Sequence, residues 1–137
     1  MGALTQEMES WAKGNLWEQR AAVDALCERR LLGRANEVDN VLAVLDRVTE
    51  TLHACERRSG SDFRALRRSL ARCWSVAVAA HPTAGKKKMA RWLTCNDPDV
   101  LWVMKENLKQ RSMQDMDGDW VEAARLVLRT LRDQPVG

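Results

Sequence analysis

Side chains that could bind an anion are concentrated within residues 56–91. This window holds ten Lys or Arg against two acids, a net charge of +8, whereas the whole 137-residue chain carries only +3. Arg64, Arg68 and Arg72 repeat every four residues and share one helix face, and guanidinium groups suit phosphate or carboxylate recognition. Two interpretations stay open: a surface for an acidic partner, or a solvated face paired with acids of neighbouring helices. The candidate binding residues are Arg57, Arg58, Arg64, Arg67, Arg68, Arg72, Lys86, Lys87, Lys88, Arg91 and Trp102.

Six tryptophans supply most of the aromatic surface, since the chain has one Phe and no Tyr. Trp102 does not lie on the apolar face of its predicted helix, so it either packs against a neighbouring repeat or faces a ligand. On a ligand face beside Lys105, its indole could stack on a nucleic-acid base. The other five are expected to be structural, with Trp17, Trp74 and Trp92 in the core and Trp11 and Trp120 sealing the ends.

Residue types that carry enzyme chemistry are sparse. The only histidines are His53 and His81, and no nucleophile stands in a motif such as Gly-x-Ser-x-Gly. Asp97 and Asp99 are explained by a helix start. The alternative makes one of them the charge-stabilising carboxylate of a glycosylase, with Trp102 as a wall of its site. We expect no catalysis, no cofactor and no metal.

The four cysteines predict a reducing environment. Cys27, Cys55, Cys73 and Cys95 form no Cys-x-x-Cys pair, and the N-terminus lacks an apolar signal segment, so we expect reduced, buried thiols in a cytoplasmic protein. A zinc site that uses His53 beside Cys55 is the alternative. No apolar run approaches the roughly 18 residues of a membrane span, so no membrane partner is expected.

Helices must position these residues. The composition is 45% apolar and 30% charged with only three prolines, which favours an all-α domain over a sheet protein. The small or apolar run 73–80 predicts a helix buried on all sides. The clearest seam steps by three and four residues through Val38, Val41, Leu45, Val48, Leu52 and Cys55.

Start and stop signals divide the chain into seven helices. Asn15 and Asp97 are helix caps, and a first helix occupies 4–13. His81 before a proline ends the fourth helix. A polar loop over 113–119, whose aspartates resemble only half of a calcium-binding loop, should precede a terminal helix that begins at Trp120.

Internal repetition indicates a repeat architecture. Segments 15–26 and 97–108 each open with an Asx cap, place an aromatic with small or apolar residues on one face, and end on Leu, and 61–70 is a looser copy. They recur at roughly the period of HEAT-type repeats, about 40–47 residues. The run 67–111 resembles small prokaryotic HEAT-like proteins, whose repeats are similar to those of the DNA alkylation repair superfamily of HEAT-like glycosylases. The resemblance covers about residues 11–113.

This resemblance implies one domain, 1–137, with the armadillo-type fold: a right-handed α-solenoid of about three HEAT-like two-helix repeats. The repeats would be 4–32, 35–80 and 82–112, closed by a capping helix at 118–132. The alkylation repair family further implies a concave DNA-binding surface with Trp, Asp and Arg around a damaged nucleotide. Three repeats are far fewer than a full glycosylase solenoid.

We therefore expect a non-enzymatic binding module, foremost a protein-interaction scaffold that presents its basic surface to an acidic protein partner. Nucleic-acid binding through the same surface is the alternative, and an active DNA glycosylase is the third interpretation. A homodimer stays open, and no small-molecule substrate is evident.

Overall fold

The computed structural model describes residues 15–27 and 35–133, so the predicted helix 4–13 and Trp11 lie outside the described residues. Helix is the only regular secondary structure in the described ranges, which confirms the all-α prediction. No helix there has the length and apolar character that a membrane span requires. The helices are α1 (Leu16–Leu26), α2 (Ala35–Ala54), α3 (Ser61–Ala80), α4 (Pro82–Leu93), α5 (Pro98–Leu108) and α6 (Arg111–Asp133).

Two side-chain caps start helices where the sequence predicts them. Ahead of α1, the Asn15 side chain accepts a hydrogen bond from the Glu18 amide at 2.9 Å. Ahead of α5, the Asp97 carboxylate accepts from the amides of Asp99 and Val100. Each cap satisfies N–H groups that the first helical turn leaves without a backbone partner. Both predicted caps are confirmed.

The predicted loop over 113–119 is wrong, because this segment is helical and belongs to α6. Only Asp117 leaves the helical conformation, with φ −164° and ψ 87°. Its carboxylate accepts a hydrogen bond from the Trp120 amide at 3.1 Å and so caps the second half of α6. The polar residues that suggest a loop therefore produce a kink and a second helix start.

The helices pack around α3. α1, α3 and α5 form one contacting set, while α2 and α4 each pack more extensively on α3 than on each other. α3 contacts each of the other five described helices, and Trp74, Ala77 and Val78 on it are fully buried. The prediction that this helix runs through the middle is confirmed.

The tryptophans divide between core and surface. Trp74 is buried and donates its indole N–H to Oγ1 of Thr49 at 2.9 Å, and buried Trp92 donates to Asp46 at 2.8 Å. Trp120 is half-buried against the core. The prediction for Trp17 is wrong, because 49% of this residue is exposed.

Gly85 allows α4 to approach α3 closely. A Cβ on Gly85 would lie 2.6 Å from Cα of Val78, which is backbone and cannot swing aside. We expect Gly85→Ala to lower the free energy of unfolding by about 1–3 kcal/mol through overpacking. Gly118→Ala is the matched control, since a Cβ there meets nothing nearer than 3.8 Å, and it should stabilise by about 0.4–1 kcal/mol. Urea unfolding measures both, and equal effects would contradict the close approach.

A disulfide fastens the end of α1 to α3. Cys27 and Cys73 are bonded although they lie 46 residues apart in the sequence, and Cys55 and Cys95 are free thiols. The expectation of four reduced cysteines is therefore wrong for Cys27 and Cys73. Their spacing does not reveal the pair, because only the packing of α1 on α3 brings the two Cα atoms to 5.5 Å. The bond holds α1, and with it Trp17, against the rest of the domain.

Candidate binding cleft

One face of the α1, α3 and α5 set contains a cleft of about 700 Å³, which we call the tryptophan cleft. Small side chains of α3 leave the space, since Ser61, Ala65 and Ser69 follow one another at four-residue spacing on one helix face. The cleft is lined by Trp17 and Arg20 of α1, by Ser61, Ala65, Arg68, Ser69, Ala71 and Arg72 of α3, and by Trp102, Glu106 and Gln110.

Two indoles form walls of the tryptophan cleft. Trp17 is the more exposed, with 49% of its surface open to solvent. Trp102 is half-buried, and the guanidinium carbon of Arg67 lies 3.7 Å from its ring centroid. This stacked cation covers part of the indole, so Trp17 is the freer platform for a planar ligand.

Two arginines give the cleft unneutralised positive charge. Arg68 and Arg72 are exposed, and neither forms an ion pair with another described residue. Arg20 pairs with Asp24 on its own helix at 3.3 Å. The one carboxylate among the lining residues, that of Glu106, is paired with Lys109 at 2.6 Å. The cleft therefore combines apolar rings with cations, which suits an anion that carries a flat group.

A second group of charged residues lies where the end of α2 meets the first turns of α3 and the start of α5. Asp97 is only 3% exposed, and both its oxygens accept hydrogen bonds at 2.8 Å from the guanidinium of Arg58. Arg58 also donates to Asp99 at 2.8 Å, and Arg67 pairs with Asp99 at 2.9 Å. Nδ1 of His53 donates to Asp97 as well, at 2.8 Å. We call these five residues the Asp97 cluster.

Hydrogen bonding keeps Asp97 ionised despite its burial. Burial alone raises the pKa of this carboxyl, but hydrogen bonds from Arg58, from His53 and from two backbone amides bring the pKa well below its usual range. The same contacts with Asp97 and Asp99 raise the pKa of Arg58. The Asp97 cluster therefore joins α2, α3 and α5 through paired charges, which is a structural role.

His53 and Cys95 approach each other without forming a nucleophile and base. The Cys95 sulfur lies 3.8 Å from Nδ1 of His53, the nitrogen already bonded to Asp97. Burial, followed by the charge of Asp97, raises the pKa of the Cys95 thiol, which disfavours the thiolate. Within 15–27 and 35–133, no three His, Cys, Asp or Glu side chains are grouped closely enough to hold a metal ion.

Only part of the predicted basic surface comes together. Arg68, Arg72 and Trp102 line one cleft. Four other candidates are held in ion pairs: Arg58 and Arg67 in the Asp97 cluster, Lys86 with Asp117, and Arg91 with Asp46 and Glu50. Arg57, Arg64, Lys87 and Lys88 are exposed outside the lining of the tryptophan cleft.

The lysine triplet lies apart from the arginines of α3. Gly85, which precedes Lys86, packs on Val78 near the end of α3, while Arg68 lies ten residues before Val78. Ten helical residues span about 15 Å. The basic window therefore divides into separate groups rather than one continuous face.

Trp17 and Arg20 are cleft residues that the sequence analysis does not select. The helical pattern predicts that Trp17 shares a buried stripe with Ala21 and Ala22, one turn later. The structure buries Ala22 but exposes Trp17 and Ala21, and the buried face of α1 consists of Gln19, Ala22, Val23 and Leu26. One signal in the sequence indicates that Trp17 is exposed. Arg20 lies three residues after Trp17 and Asp24 four residues after Arg20, so the indole shares a helix face with charged side chains that face solvent.

No family model, no curated protein and no solved structure matches this chain.

Proposed function

We propose that this protein is a non-enzymatic nucleic-acid-binding module that holds an unpaired segment of the strand in the tryptophan cleft. The observation that carries the proposal is the exposed indole of Trp17 in the same cleft as the unpaired guanidiniums of Arg68 and Arg72. An indole accepts the face of any base, and arginines bind the phosphates on either side of it. Double-stranded nucleic acid keeps its bases stacked and offers no free base to the cleft.

The division of the basic window favours this ligand over a broad acidic protein face. A scaffold for a large acidic surface needs many free cations on one side, but Arg58, Arg67, Lys86 and Arg91 are neutralised by carboxylates. The unpaired positive charge that lies in a concave surface is confined to one cleft. The volume of this cleft, about 700 Å³, lies in the range of small-ligand sites, about 300–1,000 Å³.

The arrangement of the helices supports a short HEAT-like array as the scaffold of this cleft. In such arrays each repeat packs on its neighbours, as α1, α3 and α5 do here, whereas the contact of α3 with α6 reaches beyond the neighbouring repeat. The domain limits, the repeats at 35–80 and 82–112 and the relationship to the DNA alkylation repair superfamily stay predictions, as does the cytoplasmic location.

The module is proposed to lack glycosylase activity because its carboxylates are engaged. Asp97 is buried under Arg58 and His53, and Asp99 is held between Arg58 and Arg67. A carboxylate that stabilises a developing positive charge must face the substrate with its own charge unneutralised. Neither aspartate lines the tryptophan cleft.

Salt-titrated anisotropy with labelled 12-nucleotide single-stranded DNA, the same RNA and the duplex tests the proposal. With two phosphate contacts, the single strands should bind with a log–log salt slope of about −1.4, and more tightly than the duplex. Polyglutamate serves as a competitor, since displacement at equal charge concentration would indicate a generic acid-binding surface. Absence of single-strand binding at low salt would contradict the proposed function.

Trp17→Ala should weaken single-strand binding roughly tenfold, because a stacked base contributes about 1–3 kcal/mol. Its half-exposed position predicts little change in thermal stability. Trp17→Phe is the matched variant, and it should retain most of the affinity because it keeps an aromatic face. Equal losses for Ala and Phe would argue against stacking.

A further inference from the structure

The structure contains a second cleft, of about 730 Å³, between α5 and the second half of α6, which we call the α5–α6 groove. It does not share its cations with the tryptophan cleft, and only Trp102 lines both. Apolar groups supply most of its exposed lining, from Pro98, Leu101, Trp102, Leu128 and Leu131. An apolar concavity of this size on a surface is a feature of sites that bind another molecule.

Four cations accompany these apolar residues. Lys105 and Lys109 are one turn apart on α5, and Arg125 and Arg129 are one turn apart on α6. Lys109 pairs with Glu106 at 2.6 Å, and Arg125 with Glu122 at 3.2 Å. Lys105 and Arg129 form no ion pair with another described residue.

No described acid lines the groove, so its free charge is entirely positive. A ligand that presents carboxylates to both helices would be complementary to it.

The charge and the apolar surface are arranged along the groove. On α5, Pro98, Leu101 and Trp102 come first and Lys105 and Lys109 follow, over a helix length of about 16 Å. Arg125 marks the same basic end, because it donates a hydrogen bond to the Leu108 carbonyl at the end of α5. On α6, Arg129 lies between Leu128 and Leu131, so a partner segment needs an apolar stripe with acids flanking it and most of those acids at the basic end.

We propose that the α5–α6 groove binds an acidic amphipathic helix of a partner protein. Such a helix is about 10–12 Å in diameter, and it reaches a concave floor by inserting one apolar stripe. Its flanking carboxylates then meet Lys105 and Lys109 on one side and Arg129 on the other. A flat anionic membrane is disfavoured, because the apolar residues line a concavity rather than protrude from a surface. The groove and the tryptophan cleft are separate sites, so an experiment can contradict the proposal for one and leave the proposal for the other intact.

Three synthetic 16-residue peptides serve as probes: an idealised amphipathic helix with Leu on one face and flanking Glu, a scramble of the same composition, and a version with Lys for Glu. Only the acidic helix should bind the wild-type protein in a fluorescence anisotropy titration. Lys105→Glu/Lys109→Glu should lose at least about tenfold in affinity for it and gain affinity for the Lys version, since rows of opposite charge determine partner choice. Leu131→Asp should lower the affinity for the acidic helix, while the dependence of that affinity on salt concentration is retained.

Matched controls separate this site from the tryptophan cleft. Lys87→Glu/Lys88→Glu makes the same charge change away from the groove and should weaken peptide binding at most a few-fold, through the long-range field, as should Arg68→Glu/Arg72→Glu. Equal binding of the acidic helix and its scramble would overturn the proposal, as would loss of binding in the Lys87/Lys88 control. Binding to vesicles of anionic phospholipid but not to the acidic helix would overturn it in favour of a membrane surface.

Discussion

Replacing Asp97 by alanine should lower the free energy of unfolding by about 2.5–4 kcal/mol, because it removes hydrogen bonds to a charged group, which contribute about 1.5–3 kcal/mol, and a helix cap, which contributes about 1 kcal/mol. The substitution leaves Arg58 without its main acceptor, because two of its nitrogens donate to Asp97 at 2.8 Å. It also removes the cap that accepts from the Asp99 and Val100 amides at the start of α5. Urea unfolding followed by far-UV circular dichroism measures the loss.

Asp115→Ala is the control for this experiment. Asp115 belongs to an exposed pair with Arg111 at 3.7 Å, and exposed pairs contribute only about 0–1 kcal/mol. A loss from Asp97→Ala as small as that from Asp115→Ala would contradict the structural role of the Asp97 cluster.

The same cluster predicts acid sensitivity with a definite sign. Because contacts in the folded state hold the pKa of Asp97 below the ordinary carboxyl value of 3.8, the unfolded chain takes up this proton first as the pH falls. The stabilisation is therefore fully present above about pH 5 and is lost progressively as the pH falls below that value. The stability difference between wild type and Asp97→Ala should narrow from pH 7 to pH 3, and a constant difference would contradict this account.

The double variant Arg68→Glu/Arg72→Glu should bind single-stranded DNA and RNA at least about 100-fold more weakly, since each hydrogen bond to a charged group contributes about 1.5–3 kcal/mol. Both side chains are exposed and unpaired, so reversing their charge breaks no described ion pair and should preserve the fold. The salt slope should also fall towards zero as phosphate contacts are lost.

Lys87→Glu/Lys88→Glu makes the same four-unit change in net charge on exposed side chains outside the tryptophan cleft. It should weaken binding only a few-fold, through the long-range field. Equal losses in the two double variants would contradict a local site and indicate nonspecific attraction to a basic protein.

Local signals predict the elements of this fold well. Asn15 and Asp97 act within three residues of their own helices, so the caps are visible in sequence. The run around Trp74 is apolar on all sides, so the central helix is visible too. Asp117 is less clear, because the same polar residues that favour a loop also cap a helix after a kink.

Pairing between distant residues limits the prediction of the site. Arg58 donates to Asp97, which is 39 residues away in the sequence, and Lys86 donates to Asp117, which is 31 residues away. No local sequence pattern reveals which cations are neutralised in this way. The sequence likewise does not reveal which face of α1 is exposed to solvent, because Trp17 and the alanines that follow it are compatible with either face of so short a helix. The disulfide from Cys27 to Cys73 likewise depends on tertiary packing.

Photo-cross-linking of a single-stranded oligonucleotide that contains 4-thiothymidine, followed by mass spectrometry of the digested protein, shows where the strand binds. We expect cross-links in two places, around Trp17 and Arg20 on α1 and between Ala65 and Arg72 on α3, because these residues line one cleft. Cross-links confined to the lysine triplet at 86–88, or to the α5–α6 groove, would contradict it.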